Sequence, residues 1–263
     1  MVQNKSSSTA VLDGPRELEG KRVVLTGGSR GIGAAIAERL LADGALVVTT
    51  ARTAPAETPD GLEFVTGDVR TPRGIQAIAD AAIEHLGGVD VVVNNAGAAR
   101  AYPAGSLAIE PDEWQDALDV NFLAAVRLNA ALAPRMIEQG SGAIVNIASS
   151  AAFDVPGPML HYGAAKAALI AYSKGLATEL APHGVRVNTI TPGHVASPGA
   201  DEVREGLATA FGITVSDIHA TVPIGRIGRG DDIAEAVAYL VSDRAAYVAG
   251  ANLVVDGGEQ RRP

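Results

Sequence analysis

Residues 22–33 read Arg22-Val23-Val24-Leu25-Thr26-Gly27-Gly28-Ser29-Arg30-Gly31-Ile32-Gly33, an apolar run that breaks into glycines and resumes as Ala34-Ala35-Ile36-Ala37. Val, Leu and Thr suit a buried strand, and the alanine-rich sequence after them suits a helix. Glycines between the two let the backbone turn sharply and approach a pyrophosphate, which then sits at the helix N-terminus. The spacing is Thr-Gly-x-x-x-Gly-x-Gly, so the common Gly-x-Gly-x-x-Gly fingerprint is not met literally. In its strand-then-helix setting it still reads as a nucleotide site formed by Gly27, Ser29, Arg30, Gly31, Ile32 and Gly33.

The same alternation continues along the chain. Short apolar runs predict strands over 22–26, 46–51, 63–66, 89–94, 142–148, 186–191 and 252–255, with helix-compatible patterns at 33–43, 73–85, 112–138, 162–181 and 231–240. Continuous runs such as Val91-Val92-Val93 suit parallel strands buried on both faces. Strand–helix alternation implies βαβ units, hence an α/β, doubly wound Rossmann fold with a seven-stranded parallel sheet. Residues 1–17 are polar and Ser-rich without an apolar core, and read as a flexible tail rather than a secretory signal. Residues 18–263 read as one catalytic domain, without internal repeat or linker. The longest irregular stretch is 194–229, and long loops in compact domains are usually functional.

Composition narrows the function. The 263 residues are 47% hydrophobic, with 30 glycines, no cysteine and a net charge of −9. That charge disfavours non-specific nucleic-acid binding, and no apolar run approaches the roughly 20 residues that span a bilayer. Lack of cysteine excludes disulfides and thiolate metal sites and fits a reducing, cytoplasmic setting. His85, His161, His183, His194 and His219 are scattered singly, so no metal site is expected, and surface or pocket-lining roles are the default for them.

Two further features carry chemistry. Dinucleotide folds that bind NAD usually end the second strand with an acidic residue, but here it ends Thr49-Thr50-Ala51-Arg52. Arg52 and Arg30 suit a 2′-phosphate instead, which predicts NADP(H) over NAD(H). Tyr162 and Lys166 are four residues apart in a helical pattern, so they share a face. A cation there would lower a phenol that ordinarily titrates near pH ~10.

Taken together, the chain resembles the short-chain dehydrogenase/reductase family from Lys21 to Gly258. The family's motifs occur in order: Thr26-Gly-x-x-x-Gly-x-Gly33, Asp68-Val69, Asn94-Asn95-Ala96-Gly97, Asn121, Ser149, Tyr162-x-x-x-Lys166 and Pro192-Gly193. The resemblance implies a role for each. Asp68 would accept from the adenine amino group while the Val69 backbone frames the ring, and Asn95, Ala96 and Gly97 would line the adenosine ribose side. Tyr162 would be the general acid in reduction and base in oxidation. Lys166 would lower its pKa and bond the nicotinamide ribose, Ser149 would bond the substrate oxygen, and Asn121 would hold a water that continues the proton path. Pro192, Gly193, the Val195 backbone and Ser197 would meet the nicotinamide end.

The resemblance implies interconversion of a ketone and a secondary alcohol. The substrate is expected between residues 98–103, 153–160 and a lid over 194–223. Phe153, Met159 and Leu160 suggest a bulky apolar or cyclic ketone; Arg100 and His194 are expected at the rim. Val203, Leu207, Phe211, Ile213 and Ile218 either cover the pocket or pack the lid onto the body. Similarity to 3-oxoacyl-thioester reductases extends to Val255-Asp256-Gly257-Gly258, and makes a thioester the alternative substrate. A nucleotide-sensing or scaffold protein is the alternative of another class, opposed by the presence of Ser149, Tyr162, Lys166 and Asn121. The family also implies a homotetramer or homodimer built on helices 112–138 and 162–181.

Overall fold

A computed structural model describes residues 16–51, 58 and 61–260. Arg52 and residues 1–15 of the expected tail lie outside the described residues. Seven parallel strands form one sheet: β1 (Arg22–Thr26), β2 (Leu46–Ala51), β3 (Leu62–Thr66), β4 (Val91–Asn94), β5 (Gly142–Ile147), β6 (Val185–Pro192) and β7 (Asn252–Val255). Their order is β3-β2-β1-β4-β5-β6-β7. The chain therefore leaves β1 in one direction and returns from β3 to β4 on its other side, which opens a crevice at the strands' C-terminal ends.

Helices cover both faces. α1 (Gly31–Ala42) and α8 (Gly230–Val241) pack on one face through Ile36, Leu40, Ile233 and Val237, all fully buried. On the other lie α2 (Pro72–Leu86), α3 (Pro111–Leu118), α4 (Ala124–Gln139) and α5 (Leu160–Leu180), with Ile78, Leu128, Leu132 and Met136 in the core. α2 shows its start and stop signals plainly: the Thr71 hydroxyl accepts from Gly74 N, Pro72 opens the helix, and Gly87 closes it at φ 69°. Leu18 is fully buried, and its N–H donates to Asp43 O.

Two expectations need correction. The single helix over 112–138 is interrupted by a π turn at Asp119–Leu123; periodicity alone does not register one inserted residue. The irregular stretch at 194–229 instead carries two helices, α6 (Pro198–Phe211) and α7 (Val215–Ala220). Their signals were present. Ser197 caps α6 ahead of Pro198, Gly212 ends it at φ 65°, and Thr214 with Asp217 forms a capping box on α7.

Candidate active site

A cleft of about 880 Å³ runs along the strand ends. It is lined by Gly27 after β1, Ala51 at the end of β2, Gly67 after β3, Asn95 after β4, Ala148 after β5 and Gly193 after β6. The glycine turn is held tightly at its base. Thr26 Oγ1 accepts from the N–H groups of Asn95 and Ala96, each at 3.0 Å, while Asn95 Nδ2 donates to Thr26 O and Gly27 O. A Cβ on Gly33 would lie 2.0 Å from Gly27 O, so only glycine lets α1 start this close to the turn. Gly27 and Gly31 adopt φ 76° and 57°. Ser29, Gly31, Ile32 and Gly33 face the cleft with the exposed Arg30.

Asp68, Val69, Asn95, Ala96 and Gly97 line the same half. Asp68 Oδ1 accepts from Arg70 N at 3.0 Å, which fixes its carboxylate at the strand end. Arg70 was not anticipated; it lines the cleft and is held by Asp116, with Nε–Oδ1 2.5 Å. Thr49 was also missed: its hydroxyl accepts from Gly28 N and donates to Leu25 O, each at 2.9 Å, pinning the glycine turn to β2. The Thr49-Thr50 pair in an otherwise apolar strand was the available signal.

At the other half, Ser149 follows β5, and Tyr162 and Lys166 rise from the first turns of α5. All three line the cleft. Lys166 is 3% exposed, donates from Nζ to Ile147 O at 2.8 Å, and stands 5.9 Å from the Tyr162 ring centre. Burial drives its pKa down to about 8. Burial also raises the Tyr162 phenol above its ordinary value, with the Ser149 hydroxyl pulling the other way. The lowering of Tyr162 expected from Lys166 is not found: loss of water around the phenol sets the direction, and only the Ser149 hydroxyl opposes it.

Asn121, 2% exposed, sits in the π turn; its Nδ2 donates to Ala98 O at 2.8 Å and Ala117 O at 3.1 Å. A Cβ on Gly97 would fall 2.9 Å from Asn121 Oδ1 and 3.5 Å from Lys166 Nζ. The absence of a side chain at 97 therefore lets these two groups close on one point.

Pro192 and Gly193 turn the chain into the lid. Val195 bridges to Gly228 and accepts from Arg204 Nη1 through its carbonyl. Ser197 accepts from Ala200 N and lies against Gly31, joining the lid to the glycine turn. Leu207 and Ile218 pack against Met159 and Tyr162, whereas Phe211 and Ile213 stay exposed at the cleft. The lid's apolar residues thus divide between the two readings. Phe153 and Leu160 are exposed but do not line the cleft, whereas Met159 does. Arg100 is exposed and stands 3.6 Å from Glu113, at the rim. His194 lines the cleft, but His161 corrects the surface or pocket-lining default: it is 4% exposed, edge-on to Tyr102 and Trp114, and braces the 98–103 loop.

A doubly wound sheet with a glycine turn at its switch point and a Ser, Tyr and Lys group farther along the same cleft defines a nucleotide-dependent oxidoreductase. Comparison with known proteins makes this specific. A family model described as enoyl-(acyl carrier protein) reductase matches residues 27–260. The 3-oxoacyl-(acyl-carrier-protein) reductase FabG of Vibrio cholerae is 36% identical over 247 residues, 92% of this chain and 98% of that protein. Among solved structures, 3-ketoacyl-(acyl-carrier-protein) reductase of Brucella melitensis, complexed with NADH, superposes with TM-score 0.83 at 30% identity, over 92% and 98% of the two chains. Thermoplasma acidophilum aldohexose dehydrogenase gives 0.84 at 30% identity, over 95% and 98%. The chain belongs to the short-chain dehydrogenase/reductase family and is an oxidoreductase acting on carbonyl and alcohol groups.

Proposed function

We propose that this protein is an NADP(H)-dependent ketoreductase that interconverts a ketone and a secondary alcohol, with Tyr162 as general acid/base. The observation that carries this reading is the convergence of Ser149, Tyr162 and Lys166 on the cleft that the glycine turn opens. A nicotinamide dinucleotide fits the residues present: the packing of Gly33 on Gly27 O leaves backbone rather than side chains facing the phosphates, and α1 points its N-terminus at them. Arg30 and the absence of an acid at Ala51 favour the 2′-phosphate, although the Brucella relative was solved with NADH.

In this reading the cofactor supplies or accepts the hydride. Ser149 donates to the substrate oxygen, and Tyr162 donates its proton to the same oxygen as reduction proceeds. Lys166, tied to Ile147 O, supplies positive charge beside the phenol and hands protons onward past Asn121. Asp68 and the Val69 backbone hold the adenine; Asn95, Ala96 and Gly97 line the ribose. Pro192, Gly193, Val195 and Ser197 orient the nicotinamide. The apolar lid residues beside Met159 favour a bulky or cyclic ketone. A 3-oxoacyl thioester is the second reading, supported by the Vibrio and Brucella relatives, both 3-oxoacyl-(acyl-carrier-protein) reductases by name. The family's tetramer or dimer is part of this reading, and light scattering on the purified chain measures it directly.

The test is a spectrophotometric screen of NADPH and NADH against ketone, alcohol and acyl-thioester panels. NADPH with a bulky ketone should give the highest kcat/KM. General acid catalysis contributes about 10²–10⁴-fold, so Tyr162→Phe should lose at least ~10²-fold in kcat while binding NADPH normally. Retained turnover in that variant removes Tyr162 from the role.

A further inference from the structure

We propose that the polar recess beside the reacting end of the cleft is a substrate subsite for a hydrogen-bond donor, a hydroxyl or protonated amine, with Glu259 and Asp154 as its acceptors. The proposal rests on the carbonyl-reductase reading above and names the substrate class for it. The recess, about 320 Å³, is lined by Ser150, Asp154, Thr221, Pro223, Gly258, Glu259 and Gln260. Ser150, Asp154, Thr221 and Glu259 also line the main cleft, so the two spaces adjoin. Ser150 directly follows Ser149, which places the recess next to the reacting oxygen.

Glu259 is fixed against the turn that closes the cleft. A Cβ on Gly193 would lie 2.5 Å from its Oε2, to which the His194 N–H donates at 3.3 Å. His194 Nε2 is 3.3 Å from Oε1. These two long contacts leave acceptor capacity on both oxygens. Asp256, the neighbouring carboxylate, is already used: it accepts from Gly258 N and Gln260 N, both at 2.8 Å.

No Lys or Arg among the described residues forms an ion pair with Glu259 or Asp154. Arg204, the nearby buried cation, turns to Val195 O and Asp201. His194 is held toward its neutral form by burial, Arg204 and His219. Burial and the charges of Asp256 and Asp154 keep the Glu259 carboxyl above its usual range. A donor from the substrate relieves both costs, whereas a carboxylate there adds to them. The main cleft that the recess adjoins carries an apolar cluster, Met159, Leu207 and Ile218. The substrate that fits both is a carbonyl compound with one apolar flank and a hydroxyl or ammonium on the other.

The experiment compares cyclohexanones carrying hydroxyl, ammonium, methyl or carboxylate at the ring position opposite the ketone, with NADPH. A hydrogen bond to a charged group is worth about ten- to hundredfold. The hydroxyl and ammonium compounds should exceed the methyl one in kcat/KM by roughly that factor, with the carboxylate poorest. Glu259→Gln combined with Asp154→Asn should cut the ammonium-to-methyl ratio by about tenfold or more. If Glu259 only clasps the C-terminal segment, the variant lowers every substrate alike and the ratio stays put, which overturns the subsite. A wild-type preference for methyl or carboxylate overturns it as well. No turnover of any ketone or thioester removes the reductase reading itself, and the subsite with it.

Discussion

Lys166 carries a stability cost at a position where the proposed mechanism needs a cation. Its ammonium is buried with a single hydrogen bond, to Ile147 O, and its pKa falls from 10.5 to about 8. A lysine lowered in the fold binds its proton less well than in the unfolded chain, so its charged form penalises folding. The penalty is complete below about pH 8 and is relieved as pH rises toward 10.5. Stability of the wild-type protein, measured against Lys166→Met by denaturant unfolding without cofactor, should therefore improve by about 2–3 kcal/mol between pH 7.5 and 10. A constant gap would show that the ammonium is not depressed. The Tyr162 and Lys166 pair was legible in the sequence because both residues lie on one short helical stretch. Glu259 was not, because its partner His194 is 65 residues away and nothing local marks either residue.

The lid is the element on which the sequence reading faltered. Its start and stop residues are ordinary capping signals, and the apolar Val203, Leu207 and Phe211 recur four residues apart, so a helix was legible in this stretch although it reads first as irregular. The same capping gives the lid a breakable hinge. The Ser197 hydroxyl satisfies Ala200 N at the start of α6 while the residue touches Gly31 of the nucleotide turn. Losing such a cap costs about 1 kcal/mol. Ser197→Ala should speed amide exchange across 198–211 by roughly fivefold and raise the KM for cofactor, with little change in Tm, because opening is local. Uniformly faster exchange over the whole sheet would mean that α6 is not an independent unit. The π turn at Asp119–Leu123 belongs to the same scale. It was invisible as a pattern, and it carries Asn121, a polar residue among apolar neighbours whose side chain is buried against Ala98 O.

Across the whole molecule, the parallel doubly wound sheet followed from strand–helix alternation, whereas the polar ties through its core did not. Asn94 at the end of β4 donates to Asn146 Oδ1 of β5 at 2.7 Å and to Asn129 Oδ1 of α4 at 2.9 Å. Asn146 in turn donates to Ser173 of α5 at 2.8 Å. Asn94, Asn129, Asn146 and Ser173 are at most 6% exposed, so these bonds are made away from water and join four elements across the sheet. β5 ends at Ile147, whose carbonyl holds Lys166, and α5 carries Tyr162, so the network sets the positions from which the two side chains of the proposed mechanism project. Asn94→Ala leaves two buried acceptors unpaired. Each unpaired group costs about 1–3 kcal/mol, which for a chain of this size lowers Tm by roughly 5–15 °C. Loss of order in this layer should also reduce kcat at temperatures well below melting, with KM for the ketone changed less. Circular-dichroism melting and steady-state kinetics on the same preparation check both. A variant with wild-type kcat and a lowered Tm would confine the network to stability and separate it from the chemistry at Tyr162.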